Sequence, residues 1–486
     1  MNKDIRSIGI NGIIYIIAAL LSKGLNVALL PVYANYLTVE QFGAVSLLLL
    51  FKSIMISILG LGQVVTIKKT YYEYESAGRD FRTFFSTLLI GTFVIDLLLV
   101  IIFTSFGEEL FKWFLDGVSF WQFGIYVLVS SLLIIPYQLL LKLYQTRNQS
   151  VKYSLLEILY MSLDSIISLA LIIFLTMGTA GRVVGIFGST IIITLIAIVL
   201  IKKEIKPSFE KKTYRKTLLI GLPIIPHSLS GFVINLSDRI FLNKALNLET
   251  VGIYSLGYQI GQIIDIISLA FIEAWSSYFM RYANKMKEYS LFISKFSLYY
   301  VMLTLSISVT FSLFAKELID LFFDDKYKEA VKIIPLVVAG YAFKNVYYLS
   351  NQQLIFKEKT NLLLMSTGIS AILNLILNYL FIITFNWGMY GAAFASIISF
   401  IVMSVVSYQN GQKIFYIPYY KKEMLMMYGM FTLLLTFLYL YQQLNNLLLV
   451  KIFLNLAFLL VMTLFVPKGD LAVLKNKVSV LLKKKG

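Results

Sequence analysis

The 486-residue sequence predicts an all-α polytopic membrane protein with about 14 transmembrane helices, arranged as two six-helix lobes followed by two further helices. Three observations carry that prediction. The composition is 58% hydrophobic and only 14% charged, with a mean hydropathy of +0.79, a balance that a water-soluble chain of this length does not keep. Apolar runs of roughly 20 residues recur throughout, each long enough to cross about 30 Å of hydrocarbon as a helix. A set of residues also returns at a spacing of about 209, which marks a duplicated half. A transmembrane β-barrel would show alternating segments of roughly 10 residues, and the runs Leu88 to Phe106 and Leu447 to Phe465 do not alternate.

Taken in order, Lys3 and Arg6 precede an apolar stretch from Ile8 to about Leu37. That stretch exceeds a signal-peptide core and lacks a small-x-small cleavage pattern, so it predicts an uncleaved first span. Six spans are expected at about 8–36, 41–66, 84–106, 122–142, 154–177 and 183–201, and six more at about 217–243, 250–277, 292–315, 331–350, 361–384 and 389–409. A final pair follows at about 424–441 and 446–466. The corresponding division is an N-terminal lobe over 1–201, a linker over 202–216, a C-terminal lobe over 217–409, two extra helices within 410–466 and a tail over 467–486.

The net charge of +17 belongs to loops. With a cytoplasmic N-terminus, roughly 31 of the 43 basic residues fall on the inner side and about 7 on the outer side, a strong positive-inside bias that places both termini in the cytoplasm. The linker, with Pro207 and seven basic residues between Lys202 and Lys216, lies on that side. The tail alternates Lys475, Lys477 and Lys483 to Lys485 with aliphatic residues, a pattern suited to an anionic leaflet. With the positive charge so placed, a nucleic-acid partner is not expected.

The repeat is specific. Leu37, Glu40, Gly43, Ser46 and Leu47 return as Leu246, Glu249, Gly252, Ser255 and Leu256, both copies reading L-x-x-E-x-x-G-x-x-S-L. Gly12 and Asn26 match Gly221 and Asn235, while Gly178, Gly181 and Ser189 match Gly388, Gly391 and Ser399. Individually these positions read as hairpin turns, helix starts and close helix approaches. Six spans separate equivalent positions, and an even number preserves direction, so the pseudo-twofold axis lies along the membrane normal.

Ionisable residues inside spans are costly in lipid and therefore face a partner or a wet cavity. The cations so placed are Lys23, Lys52, Arg239 and Lys344; the anions are Asp96, Asp164, Asp238 and Asp265, with Glu157 and Glu273 nearer the inner interface. Asp265 and Glu273 share a helix face, as do Glu157 and Asp164, and Lys23 adjoins Asn26. A cavity walled by Lys23, Lys52 and Arg239 would attract an anion such as a diphosphate; the alternative is that each cation simply pairs with a carboxylate inside the bundle. His227, beside Pro226 in a span that also contains Pro223, reads as a polar contact at a kink, and Lys451 as a snorkelling interfacial residue. Without cysteine, and with one histidine, a metal site is not expected. No H-E-x-x-H, G-x-S-x-G or Walker-type loop occurs, and the loop bearing Asp324 and Asp325 is short, so neither an enzyme nor a cofactor is expected.

The chain resembles the oligosaccharide flippase branch of the MOP superfamily, the Wzx-like polysaccharide biosynthesis proteins. The resemblance spans nearly the whole sequence. It rests on L-x-x-E-x-x-G after the first span, Ser237-Asp238-Arg239-Ile240-Phe241-Leu242, Val251-Gly252-Ile253-Tyr254-Ser255, and Gly388-x-x-Gly391-Ala392-Ala393. It implies a V-shaped, MATE-like pair of lobes around a cationic cavity. It also implies alternating access carrying undecaprenyl-diphosphate-linked glycans, such as O-antigen or capsule repeat units, across the bacterial cytoplasmic membrane. On that basis Lys23, Lys52, Arg239, Lys344, Asn26 and Asn235 are the expected cargo-binding residues. Asp238, Asp265, Glu273 and Asp164 are the expected coupling or gating carboxylates. Polysaccharide polymerase and chain-length proteins are the partners implied. The alternatives are a cation-coupled multidrug antiporter, which needs a carboxylate-lined cavity, and a membrane-embedded glycan polymerase or ligase.

Overall fold

In the computed structural model of the chain, the residues described are 21, 24–283, 285–440 and 447–467. They are helical throughout, and no strand occurs among the described residues. The helices are α1 (24–36), α2 (Val39–Ile58), α3 (Gln63–Ser76), α4 (Phe81–Ser105), α5 (Gly107–Phe114), α6 (Ile125–Leu133) and α7 (Ile135–Thr146). They continue with α8 (Ser150–Ile173), α9 (Gly178–Ile201), α10 (Lys211–Gly221), α11 (Ile224–Leu236), α12 (Asp238–Ala245), α13 (Leu248–Gly261) and α14 (Ile263–Ala283). The last are α15 (Met286–Leu313), α16 (Ala315–Phe322), α17 (Ile334–Phe356), α18 (Thr360–Asn378), α19 (Gly388–Ile414), α20 (Lys421–Leu440) and α21 (Leu448–Met462).

Among the described residues 12 helices are long and apolar enough to cross a membrane, and up to 13 if the Asp325–Lys332 and Ile334–Phe356 pair, bent by 43°, counts as one span. Most of the expected first span lies outside the described residues. Outward-facing side chains are apolar along these helices: Leu195 is 58% exposed, Leu433 71% and Leu449 81%. A soluble protein would not leave so many aliphatic side chains uncovered, whereas lipid covers them at no cost.

Several spans are broken where the sequence dictates. Pro136 sits in the first turn of α7, and Pro223 precedes α11; neither has an N–H to continue the preceding ladder. Between α2 and α3, Gly60, Leu61 and Gly62 all adopt left-handed φ values of 62°, 48° and 66°. Glycine takes that conformation freely, but Leu61 does so at a cost of about 1–3 kcal/mol that surrounding contacts must offset. Past this break the helix runs on to Ser76, ten residues beyond the expected end of the second span, because no breaker appears before Gly78 even though the residues turn polar. The expected linker is also shorter than 202–216, since α10 already begins at Lys211.

The two copies of the repeat meet each other. Thr38 caps α2 through its hydroxyl and Asn247 caps α13 through its amide oxygen, so the repeated motif opens a capped helix in both halves, with Glu40 and Glu249 in the first turns. A Cβ on Gly43 would stand 2.1 Å from the carbonyl oxygen of Leu248, and a Cβ on Gly252 would stand 2.1 Å from that of Val39. Val39 and Leu248 are themselves repeat equivalents, so the contact is reciprocal, as a twofold axis requires. A second close approach joins the halves at the other end, where a Cβ on Gly62 would lie 2.2 Å from the Gly221 carbonyl oxygen.

Candidate functional site

Between these two crossings lies a cavity of about 690 Å³, walled by α1, α2, α8 and α9 of the first repeat and by α13 and α14 of the second. Its polar lining is Asn26, Tyr33, Ser46, Lys52, Tyr160, Asp164, Arg182, Gln259, Gln262 and Asp265. Its volume falls in the roughly 300–1,000 Å³ range typical of ligand sites.

Three charges of the first repeat form its most structured wall. Arg182 from α9 donates from Nη1 and Nη2 to the two carboxylate oxygens of Asp164 on α8, at 2.9 and 2.8 Å, and from Nη1 to the Ser168 hydroxyl at 2.6 Å. Its guanidinium lies 5.1 Å from the centre of the Tyr33 ring. Such a two-pronged pair fixes both side chains in one orientation. Lys52 differs: its Nζ donates at 3.1 Å to the hydroxyl of Tyr160, a neutral group, and lies 5.8 Å from that ring's centre. On the opposite wall Asp265 accepts from Lys344 Nζ, 3.1 Å at its nearest, and from the Tyr348 hydroxyl at 2.6 Å.

Asn26, Lys52, Asp164 and Asp265 therefore line one cavity. Lys23 lies outside the described residues. Arg239 does not reach this wall and corrects the expectation: it is 3% exposed, donating to Asp238 at 3.1 Å, to the Ser255 hydroxyl at 3.1 Å and to the Asn235 carbonyl at 3.0 Å, with the Tyr258 ring 4.6 Å from its guanidinium. Asp238 also accepts from Tyr254, so it serves this internal network. Asn235 and Lys344 likewise miss the central cavity. They line a smaller one of about 280 Å³ inside the second repeat, with His227, Tyr347 and Tyr348. Lys344 neutralises Asp265 from behind, and Asn235 accepts from the Tyr341 hydroxyl at 3.2 Å. Glu273 is exposed and stands apart from both cavities. Lys451 does not snorkel to an interface: it is 1% exposed and bonds both Glu317 oxygens at 2.7 and 2.8 Å.

Arg182 was not among the expected site residues. Hydropathy places the sixth span's start at about 183, one residue too late, whereas the helix opens at Gly178, whose φ of 55° turns the chain into it. The available signal was the proximity of Asp164 on the preceding antiparallel helix. No group of three or more His, Cys, Asp or Glu residues suited to a metal ion occurs among the described residues.

A broken-helix bundle with a polar cavity between two repeats defines a class, that of membrane transporters built from duplicated halves. More particularly, residues 8–282 match the family model described as polysaccharide biosynthesis protein, and the chain belongs to that family, within the MOP exporter superfamily. Two Haemophilus influenzae proteins are similar to it: Lsg locus putative protein 1, 23% identical over 55% of this chain, and an uncharacterized membrane protein, 24% identical over 54%. The matches span 65% and 63% of the length of those relatives, just under two thirds. The fold is similar to that of the lipid II flippase MurJ in an inward closed conformation, with a TM-score of 0.73, 16% identity and coverage of 93% of this chain and 98% of that one. It is also similar to a multidrug resistance MATE family transporter in an inward-facing conformation, with a TM-score of 0.63, 15% identity and coverage of 83% and 97%.

Proposed function

We propose that this protein is a flippase that moves undecaprenyl-diphosphate-linked oligosaccharide repeat units across the bacterial cytoplasmic membrane by alternating access. The observation that carries this reading is the charge pairing in the central cavity. Both carboxylates in its described lining are already neutralised, Asp164 by Arg182 and Asp265 by Lys344, while Lys52 is held by a neutral hydroxyl. A cavity so arranged favours an anionic cargo, because a cationic drug would find no free carboxylate there. Lys52 and the two N–H donors of Arg182 left over from Asp164 and Ser168 are the groups we assign to the diphosphate, with Asn26 beside them. Asp164 and Asp265 orient and balance the cations.

In this reading the halves act as lobes over 1–201 and 217–409, and the basic linker face is cytoplasmic with both termini. The reciprocal Gly43 and Gly252 crossing is then the closure on the outer side. The family's role in polysaccharide biosynthesis and the resemblance of the fold to a lipid II flippase both support the choice of cargo class. Polysaccharide polymerase and chain-length proteins are the partners proposed to receive the flipped unit.

The test is complementation of a deletion strain while following the undecaprenyl-diphosphate-linked glycan on the cytoplasmic face. Wild type and Lys52→Arg should clear the accumulated intermediate, and Lys52→Ala and Arg182→Gln should not, at equal membrane levels of folded protein. Full clearance by the Lys52→Ala, Arg182→Gln double variant would sink the cavity assignment. Absence of accumulation in the deletion strain would sink the cargo.

A further inference from the structure

A second buried site lies on the linker side of the central cavity, where α10 of the second repeat packs on α3 and α4 of the first. Asp96 on α4 is 0% exposed. Its Oδ2 accepts from the Gly60 N–H at 3.0 Å, and its Oδ1 has no hydrogen-bond partner. Thr92, one turn earlier and also 0% exposed, has an unpartnered hydroxyl, and so does Tyr214, which reaches in from α10. The Tyr214 ring sits on Gly91, where a Cβ would come within 2.6 Å of it, and its hydroxyl lies beside Thr92 on the side of Asp96.

The charged neighbours do not compensate Asp96. No salt bridge reaches it among the described residues, and its one hydrogen bond comes from the neutral Gly60 amide. On α10 the basic residues Lys211, Lys212, Arg215 and Lys216 are exposed, and of its titratable side chains Tyr214 alone is buried, alongside the neutral Thr217. On α3 the charges fall past Ile67, with Lys69 and Lys216 both reaching Glu73 at 3.9 Å on the surface. On α5, Glu108 and Lys112 pair with each other, and Tyr126 of α6 turns to Phe187. A carboxylate walled off in this way, with one amide donor and no cation, holds a negative charge poorly, and the same pocket is where the left-handed Gly60-Leu61-Gly62 turn presses on Gly221 of the other repeat.

We propose that Asp96 is a proton-binding site that couples protonation to closure of the linker face. With the face closed, Asp96 holds the proton as a carboxylic acid, able to donate toward Thr92 or Tyr214. Opening the α10 contact with α3 and α4 admits water, the O–H bond breaks, the proton leaves to that water, and the carboxylate remains solvated. Closing the face reverses each step and takes up one proton. A proton fits better than a metal cation, because the Gly60 N–H already points at the carboxylate and repels a cation, and too few oxygens surround it for a coordination shell. This inference does not depend on the identity of the cargo.

Because the chain has no cysteine, nitroxide labels can be placed at Glu73→Cys and Lys216→Cys, whose native side chains touch across this contact. Their dipolar broadening should be strong near about pH 5 and fade toward about pH 9, with the closed-to-open ratio changing up to about tenfold per pH unit. Adding Asp96→Asn should keep the labels close at every pH, and Asp96→Glu should restore the pH dependence. Infrared difference spectra of the unlabelled wild-type protein supply a readout that needs no variant, since a protonated carboxyl band should vanish over the same pH range. Equal pH dependence in Asp96→Asn, no pH dependence in the labelled parent, or a carboxyl band that does not change with the broadening would each overturn the proposal.

Discussion

Adding one methyl group at the crossing of the repeats is the most direct way to perturb the close contact between Gly43 and Leu248. A Cβ on Gly43 meets the Leu248 carbonyl oxygen at 2.1 Å, while ordinary contact begins at 3.4 Å, so α2 and α13 must part by about 1.3 Å. The obstacle is backbone, which cannot rotate away as a side chain would. Overpacking of this kind costs about 1–3 kcal/mol, and it falls only on the conformation in which the helices touch. Gly43→Ala should therefore shift the closed-to-open equilibrium about 5-fold to 150-fold toward separation. Gly252→Ala should do the same by the reciprocal contact with Val39. Since one separation relieves both clashes, the double variant should cost less than the two single ones together. The assay is double electron–electron resonance between labels at the exposed, repeat-equivalent positions Glu40→Cys and Glu249→Cys. Gly188→Ala and Gly429→Ala, where nothing lies within 4 Å of the added Cβ, are the controls and should be neutral or stabilising by about 0.5–1 kcal/mol. If Gly43→Ala left the label distances and cargo export as they are in wild type, the reciprocal closure would be refuted.

Two further outcomes follow from local structure. Arg182→Ala strands Asp164 with a buried uncompensated charge, each side chain being less than a fifth exposed, and should destabilise the folded protein by about 3–5 kcal/mol, read as a lowered thermal midpoint in detergent. Adding Asp164→Asn should recover a large part of that loss, and a purely additive cycle would show that the pair is not coupled. Thr38→Ala removes a hydroxyl cap at 3.2 Å while leaving the backbone N–H of residue 38 bonded to the Gln41 side chain, and should cost about 1 kcal/mol by the same measurement, with Thr38→Ser restoring it.

The helical character and order of the described spans were legible in the sequence because lipid allows only helices or closed barrels, and runs of about 20 unalternating apolar residues fit the helix alone. The reciprocal contact was legible in part, since the repeated glycines implied close approach without saying that each would pack against the other copy. The site was less legible. Hydropathy finds where a helix is in lipid and loses its polar ends, which is why Arg182 and the polar half of α3 fell outside the expected spans. The facing of Arg239 could not be read from spacing along α12, because its direction depends on Tyr254, Tyr258 and Ser255 of the next helix.

That difference between Arg239 and Lys52 determines how charge in the bundle is to be interpreted. Arg182, Arg239, Lys344 and Lys451 each sit against a carboxylate, and Arg182, Arg239 and Lys344 add an aromatic face. Pairing of this kind lets a cation persist in a low-dielectric interior, so a buried cation alone says little about cargo. Lys52 departs from the pattern: its hydrogen bond goes to a tyrosine hydroxyl at the cavity wall, and Asp164, within electrostatic reach, is already bound by Arg182. An ammonium so placed is stabilised by water in the empty cavity and by an anion in the filled one, and only the second is specific. The same criterion marks Asp96 on the acidic side, a carboxylate lacking the cation that Asp164, Asp238 and Asp265 each have. Lys52 and Asp96 are thus two charged groups in spans that form no ion pair among the described residues, and they fall at the cavity proposed to hold the cargo and at the contact proposed to open and close.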